Sequence, residues 1–150
     1  MKNHATLARE HFIKGYNCAQ AVACAFCEEM QLEEATAARM VSSFGGGMGK
    51  LREVCGAVSG ALFVLGTIKG YDDPAADEAK SAHYKLVQEF AKRFKAEHET
   101  IICRDLLKNI ALKKEHTHEP EARTDEYYRV RPCVRFVETA AQIVEDLLAE

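Results

Sequence analysis

The sequence predicts an all-α fold, a single-domain helical bundle of about five to seven helices, and three observations carry that reading. Apolar residues recur at three- and four-residue spacing along most of the chain. No stretch sustains the period-two alternation of a half-buried strand, and no internal repeat is visible. Gly15, GGGMG (45–49), Gly70 and Pro132 punctuate the periodic stretches, as residues that end or open helices do.

Each element follows in order. Residues 3–14 form a short amphipathic segment that stops at Gly15. The second segment begins at Asn17, a good N-cap, and runs to about Met30. Ala19, Ala21, Val22, Ala23, Ala25 and Phe26 make it apolar almost all round, which predicts burial. A third segment, from about Glu33 to Phe44, places Ala37, Met40, Val41 and Phe44 on one face. GGGMG then breaks the chain. A fourth and central helix is predicted from near Glu53 to near Gly70, with Val54, Val58, Ala61, Leu62, Leu65 and Ile68 on its buried face. Gly56 and Gly60 are four apart within it, so another backbone can approach closely there. The fifth helix is capped by Asp73, takes Pro74 at its first position and runs to about Glu97. Its buried stripe is Tyr84, Val87, Phe90, Ala91 and Phe94. TIIC (100–103) reads as extended, RDLLKNIAL starts a short helix, and the polar stretch 113–126 reads as one long surface loop. Pro132 opens the last helix, with Val134, Val137, Ala140, Ala141, Val144 and Leu148 facing inward.

Composition narrows the function classes. The chain has 150 residues, 47% hydrophobic and 29% charged, which is ordinary globular usage. Its net charge of -3 provides no basic field for nucleic acid or anionic lipid. Tryptophan is absent and aromatics are 8%, so no platform for stacking bases is advertised. No apolar run approaches the roughly 20 residues of a spanning helix, and the first residues lack a signal-peptide core. These features predict a cytoplasmic protein. Six cysteines at 18, 24, 27, 55, 103 and 133 then stand out. In a reducing compartment they suggest metal binding or redox catalysis more than a disulfide framework.

Four of the six share a setting. Cys18 follows the cap Asn17, Cys55 follows the glycine run, Cys103 precedes RDLL, and Cys133 follows Arg131-Pro132. Each lies at a predicted helix start, where free N–H groups and the helix dipole favour a thiolate. Arg52, Arg104, and the pair Arg131 and Arg135 reinforce three of the sites. The same four cysteines align with apolar faces, so their sulfurs converge if those faces meet one core. Inert burial is the competing explanation, since free cysteine behaves as a small hydrophobe. Cys24 and Cys27 form CxxC inside a helix and on another face, which reads as core packing.

The arrangement resembles the redox-active family named for four cysteines and a Cys-Gly-Ala-x-x-Gly motif. CGAVSG (55–60) matches the motif, GYNCAQAV (15–22) the first cysteine, and FGGGMG (44–49) the glycine run. CRDLL (103–107) and RPCVRFVETAAQIVEDLL (131–148) match the third and fourth cysteines, so the resemblance spans about residues 7–148. It implies redox chemistry without specifying a reaction. A related domain in a haem cytochrome that also carries an iron–sulfur centre implies cluster binding as a further expectation. Covalent haem is not expected, because Glu28 stands where CxxCH needs histidine.

Other motifs are weaker. GGGMGK (45–50) misses the phosphate-loop pattern at Phe44 and Leu51. Gly45, Gly46, Gly47 and Gly49 are instead candidates for folding tightly beside Cys55, where their N–H groups could hold an anion or an inorganic sulfide. His116 and His118 sit in the polar loop and read as solvated. His4, His11, His83 and His98 show no partner at a telling spacing.

Three functional readings remain. In the first, Cys55 attacks a disulfide or oxidised substrate, and a second cysteine, with Cys18 as the first candidate, resolves the product. An unidentified redox partner or electron donor completes that cycle. In the second, Cys18, Cys55, Cys103 and Cys133 ligate an iron–sulfur cluster or, less favourably, zinc. In the third, the chain is a helical interaction module that forms a homodimer across Gly56 and Gly60.

Overall fold

The computed structural model describes residues 3–150. Among these residues the fold is all-α, 67% helical with ten α-helices and no strand. The helices are α1 (His4–Ile13), α2 (Cys18–Ala25), α3 (Cys27–Met30), α4 (Glu34–Met40) and α5 (Gly45–Met48). They continue as α6 (Gly56–Lys69), α7 (Asp77–His98), α8 (Cys103–Leu106), α9 (Asp125–Val130) and α10 (Cys133–Ala149). A 3-10 turn, Ser42–Phe44, precedes α5.

The count exceeds five to seven for local reasons. The segment expected to run to Met30 breaks at Phe26, whose φ of -114° and ψ of 19° leave helical geometry, and resumes as α3. The glycine run folds into α5, a single turn with Gly46 and Gly47 in the left-handed region. The short helix after TIIC is the one turn α8. α9 lies at the end of the stretch read as loop. Thr124 accepts the Tyr127 N–H at 3.1 Å, and Asp125 and Glu126 occupy its first turn.

Other boundaries moved for equally local reasons. α2 starts as predicted: Asn17 and Gln20 form a capping box, each side chain accepting the other's N–H, at 2.9 and 3.0 Å. Asp73 does not cap the long helix. Its side chain accepts the Ala75 N–H at 2.9 Å, closing a turn, and α7 begins four residues later at Asp77. Tyr84 and Met40 stand on the water side of their helices, 52% and 54% exposed, while Phe90, Phe94 and Val41 fill the core.

The centre of the molecule is α2 lying on α6. Ala19, Ala21, Val22 and Ala23 are fully buried, and Gly60 packs against Ala19. A Cβ on Gly60 would stand 2.5 Å from the Ala19 carbonyl oxygen, and one on Gly56 would stand 3.2 Å from the Ala19 nitrogen. The small-residue face expected to serve a second copy is therefore consumed inside the chain. Gly60→Ala should cost about 1–3 kcal/mol, because backbone must move to admit the methyl group. Thermal denaturation checks this, and an unchanged melting temperature would mean that the two helices part freely.

α10 and α1 close the bundle over this pair. His4 ties their ends together. Its Nδ1 lies 2.7 Å from Glu145 Oε1, its Nε2 contacts Glu29, and its ring stacks on Phe26 at 4.1 Å.

Candidate functional site

The packing of α2 on α6 sets two cysteines side by side. Cys18 is the first residue of α2, and Cys55 precedes the first residue of α6. A Cβ on Gly56 would come within 3.2 Å of the Cys18 Cβ, so the glycine of CGAVSG is what lets the two helix starts meet.

Cys103 reaches the same place through a short antiparallel bridge between Val54 and Ile102. Cys55 N–H donates to the Ile101 carbonyl at 2.8 Å, and Cys103 N–H donates to the Glu53 carbonyl at 2.6 Å. The glycine turn wedges behind this bridge. Gly47, at φ of +72°, leaves a hypothetical Cβ 2.7 Å from the Cys103 Cβ and 2.8 Å from the Arg52 Cα. No larger residue fits, and the Gly47 carbonyl holds the Glu53 N–H at 2.9 Å. Cys133 opens α10.

All four sulfur-bearing residues line one cavity of about 60 Å³. Arg52, Arg123, Arg131, Tyr127, Gly46 and Gly47 share its wall. Cys55, Cys103 and Cys133 are buried, and Cys18 is the most open of the four. Gly45 and Gly49 stand outside the cavity and, with Gly46, line the outer pocket beside it.

The charges differ from what sequence proximity suggested. Arg52 serves Cys103, with its Nη1 3.8 Å from the sulfur, and is anchored by Glu115 at 2.9 Å. Arg104 turns outward to Glu53, and Arg135 is exposed. Arg131 places Nη1 3.9 Å from the Cys133 sulfur and Nη2 3.2 Å from Glu121. Arg123 was not anticipated at all. It donates to the carbonyl oxygens of Phe12 and Tyr16, and its guanidinium lies 4.4 Å over the Phe12 ring and 4.9 Å over Tyr127. Its only sequence signal is a basic residue among loop residues, which is uninformative.

Helix starts alone do not lower a thiol's pKa here. The amides of Ala57 and Val58 favour a Cys55 thiolate, yet burial outweighs them and pushes that thiol up to about 12. Burial likewise raises Cys103 in spite of Arg52. Cys133 is the exception. Cys18 beside it, with Arg131 and Arg52 nearby, brings it down to about 6 against the cost of burial. Cys18 moves the other way, raised well above the ordinary thiol range by Cys133 beside it and by burial. One thiol of the pair is thus held below and the other above the ordinary range.

Cys24 and Cys27 lie outside the cavity. Cys24 is buried with its sulfur 3.7 Å from the Glu34 carbonyl oxygen, and burial pushes it up to about 12. His116 and His118 are exposed. The polar stretch around them is folded back over the site. Lys50 Nζ donates to the Lys114 and Glu119 carbonyls at 2.7 and 2.6 Å, and Glu115 and Glu121 pair with Arg52 and Arg131.

Residues 16–147 match the family described as "Putative redox-active protein (C_GCAxxG_C_C)". No curated protein and no solved structure matches the chain.

Proposed function

This chain belongs to the C_GCAxxG_C_C family of redox-active proteins, and from that premise we propose that it performs thiol–disulfide exchange through Cys133 and Cys18. One feature carries the reading: Cys18 and Cys133 line the same cavity, where the surroundings favour a thiolate on Cys133 and disfavour one on Cys18. That division of labour suits an attacking thiolate and a resolving thiol.

The cycle balances in two steps. The Cys133 thiolate attacks one sulfur of a disulfide R–S–S–R′, forming a Cys133–S–S–R bond and releasing R′S⁻, which takes up a proton. Cys18 then gives up its proton and attacks the Cys133 sulfur, closing a Cys18–Cys133 disulfide and releasing RSH. Two electrons pass from the dithiol to the substrate. Cys133 takes the role first given to Cys55, whose burial keeps it protonated. Arg131 and Arg52 supply the positive charge that holds the thiolate.

The metal reading has less support. Among the described residues, no group of three or more His, Cys, Asp and Glu side chains is placed to hold a metal ion. The four cysteines line one cavity, but they are not set to share a single ion such as zinc.

Stoichiometric oxidation of the reduced protein followed by peptide mapping tests the proposal. A Cys18–Cys133 disulfide is expected, with Cys18→Ser trapping a mixed disulfide at Cys133. A bond confined to Cys55 and Cys103 would overturn it. So would stoichiometric iron and acid-labile sulfide in protein purified without air.

A further inference from the structure

Two pockets adjoin at the site, and the thiol pair lies in the inner one. The inner one is the cavity of about 60 Å³, and the outer one, about 250 Å³, lies between the glycine turn and residues 118–121. Arg52, Arg123, Tyr127 and Arg131 are walls of both.

The outer pocket is one-sided in charge. Lys50, Arg52, Arg123 and Arg131 line it against the carboxylate of Glu121. Glu121 offsets Arg131, and Glu115 offsets Arg52. No carboxylate pairs with Arg123 among the described residues; its donors go to the Phe12 and Tyr16 carbonyls and to Tyr128. An anionic substrate must approach a site that already holds a thiolate, and these cations are what would make that approach favourable.

Arg131 supplies a second, independent observation. It is 7% exposed, and its Nε has no hydrogen-bond partner. A buried guanidinium N–H without an acceptor is costly, and an oxygen atom of a bound anion would satisfy it. The backbone of Gly45, Gly46 and Gly49 on the facing wall carries no side chain to bar such a group.

We propose that Arg131, Arg123 and Lys50 form an oxyanion subsite. The substrate of the dithiol is then a small disulfide bearing a carboxylate, sulfonate or phosphate near its S–S bond. The inference rests on the thiol–disulfide reading for the reaction, but not for the anion. In that reaction the protein's two thiols become one disulfide and the substrate becomes two thiols, so no further reactant is needed.

The test uses two disulfides of similar size and different charge, 3,3′-dithiodipropionate and bis(2-hydroxyethyl) disulfide. Each is mixed with reduced protein without air, and formation of the Cys18–Cys133 bond is followed. The dianion should react roughly tenfold faster, as electrostatic steering into a cationic pocket allows. Sulfate should erode that advantage more than chloride at equal ionic strength, and Arg123→Met should abolish it. If Arg123→Met does not fold, Lys50→Met serves, with the advantage expected to fall severalfold. Equal rates for the two disulfides, with the bond forming in both cases, overturn the subsite and leave the exchange reading standing. Calorimetry with sodium sulfate separates the sources of the group. Saturable binding means that a free inorganic oxyanion seats there too, and it supports the subsite even if neither disulfide reacts. No sulfate binding with the rate advantage retained assigns the site to organic anions. The absence of both a rate advantage and sulfate binding overturns the proposal.

Discussion

Alkylation of the native, reduced protein by iodoacetamide is expected to follow a titration with a midpoint near pH 6, and Cys133→Ser is expected to remove that phase entirely. The midpoint is where Cys133 loses its proton. At pH 7 a thiol titrating near 6 is mostly thiolate, whereas Cys55, at about 12, is almost wholly protonated. A lower pKa also weakens the nucleophile. With both effects counted, Cys133 should still react roughly a hundredfold faster than Cys55. Cys18→Ala takes away the neighbouring thiol that favours the Cys133 thiolate and should move the midpoint upward by about one pH unit or more. A native protein whose fast phase survives Cys133→Ser would refute the assignment of the thiolate.

The same pair sets a pH dependence of stability. Cys133, lowered in the fold, contributes stability that is present above the ordinary thiol pKa and is lost as pH falls through about 6. Cys18, raised in the fold, contributes stability that is present below the ordinary thiol pKa and is lost as pH rises through its own elevated value. Their joint contribution to the reduced protein therefore peaks about the ordinary thiol pKa of ~8.5 and falls on either side. Denaturant titrations of reduced wild type and of the Cys18→Ala, Cys133→Ala double variant across that range should differ most near the peak.

Arg131→Met should be the most damaging single change to stability. The Arg131 and Glu121 side chains are 6% and 11% exposed, so the variant leaves a buried carboxylate without its counter-charge. Breaking a buried pair from one side costs about 3–5 kcal/mol. For a chain of this size that lowers the melting temperature by roughly 10 °C. The double variant with Glu121→Gln should recover much of the loss, since no charge is then stranded. Arg131→Met should also raise the alkylation midpoint of Cys133, because a guanidinium 3.9 Å from its sulfur is gone. Glu121→Gln cannot restore that second effect. Recovery of both together would show that Arg131 acts on Cys133 only through folding.

The local features of this chain were legible in its sequence. Asn17 announces α2 because a cap acts over a few residues, and α10 shows its buried face because helical periodicity repeats within a few residues. The four helix-start cysteines are visible for the same reason. α9 was missed although Thr124, Asp125 and Glu126 are good starting residues, since the polar stretch before it masked a short helix.

The surroundings of each sulfur were decided by tertiary structure alone. Arg52 stands three residues before Cys55, yet it faces Cys103, 51 positions away. His4 finds its partner 141 positions away in Glu145. Sequence by itself determined the helical fold and the helix-start placement of four cysteines, because capping and periodicity are short-range along the chain. A thiol's pKa depends on desolvation and on charges acting through space. Both change sharply over a few ångströms and bear no relation to sequence spacing, so only the packed structure gives Cys18, Cys55, Cys103 and Cys133 their different surroundings.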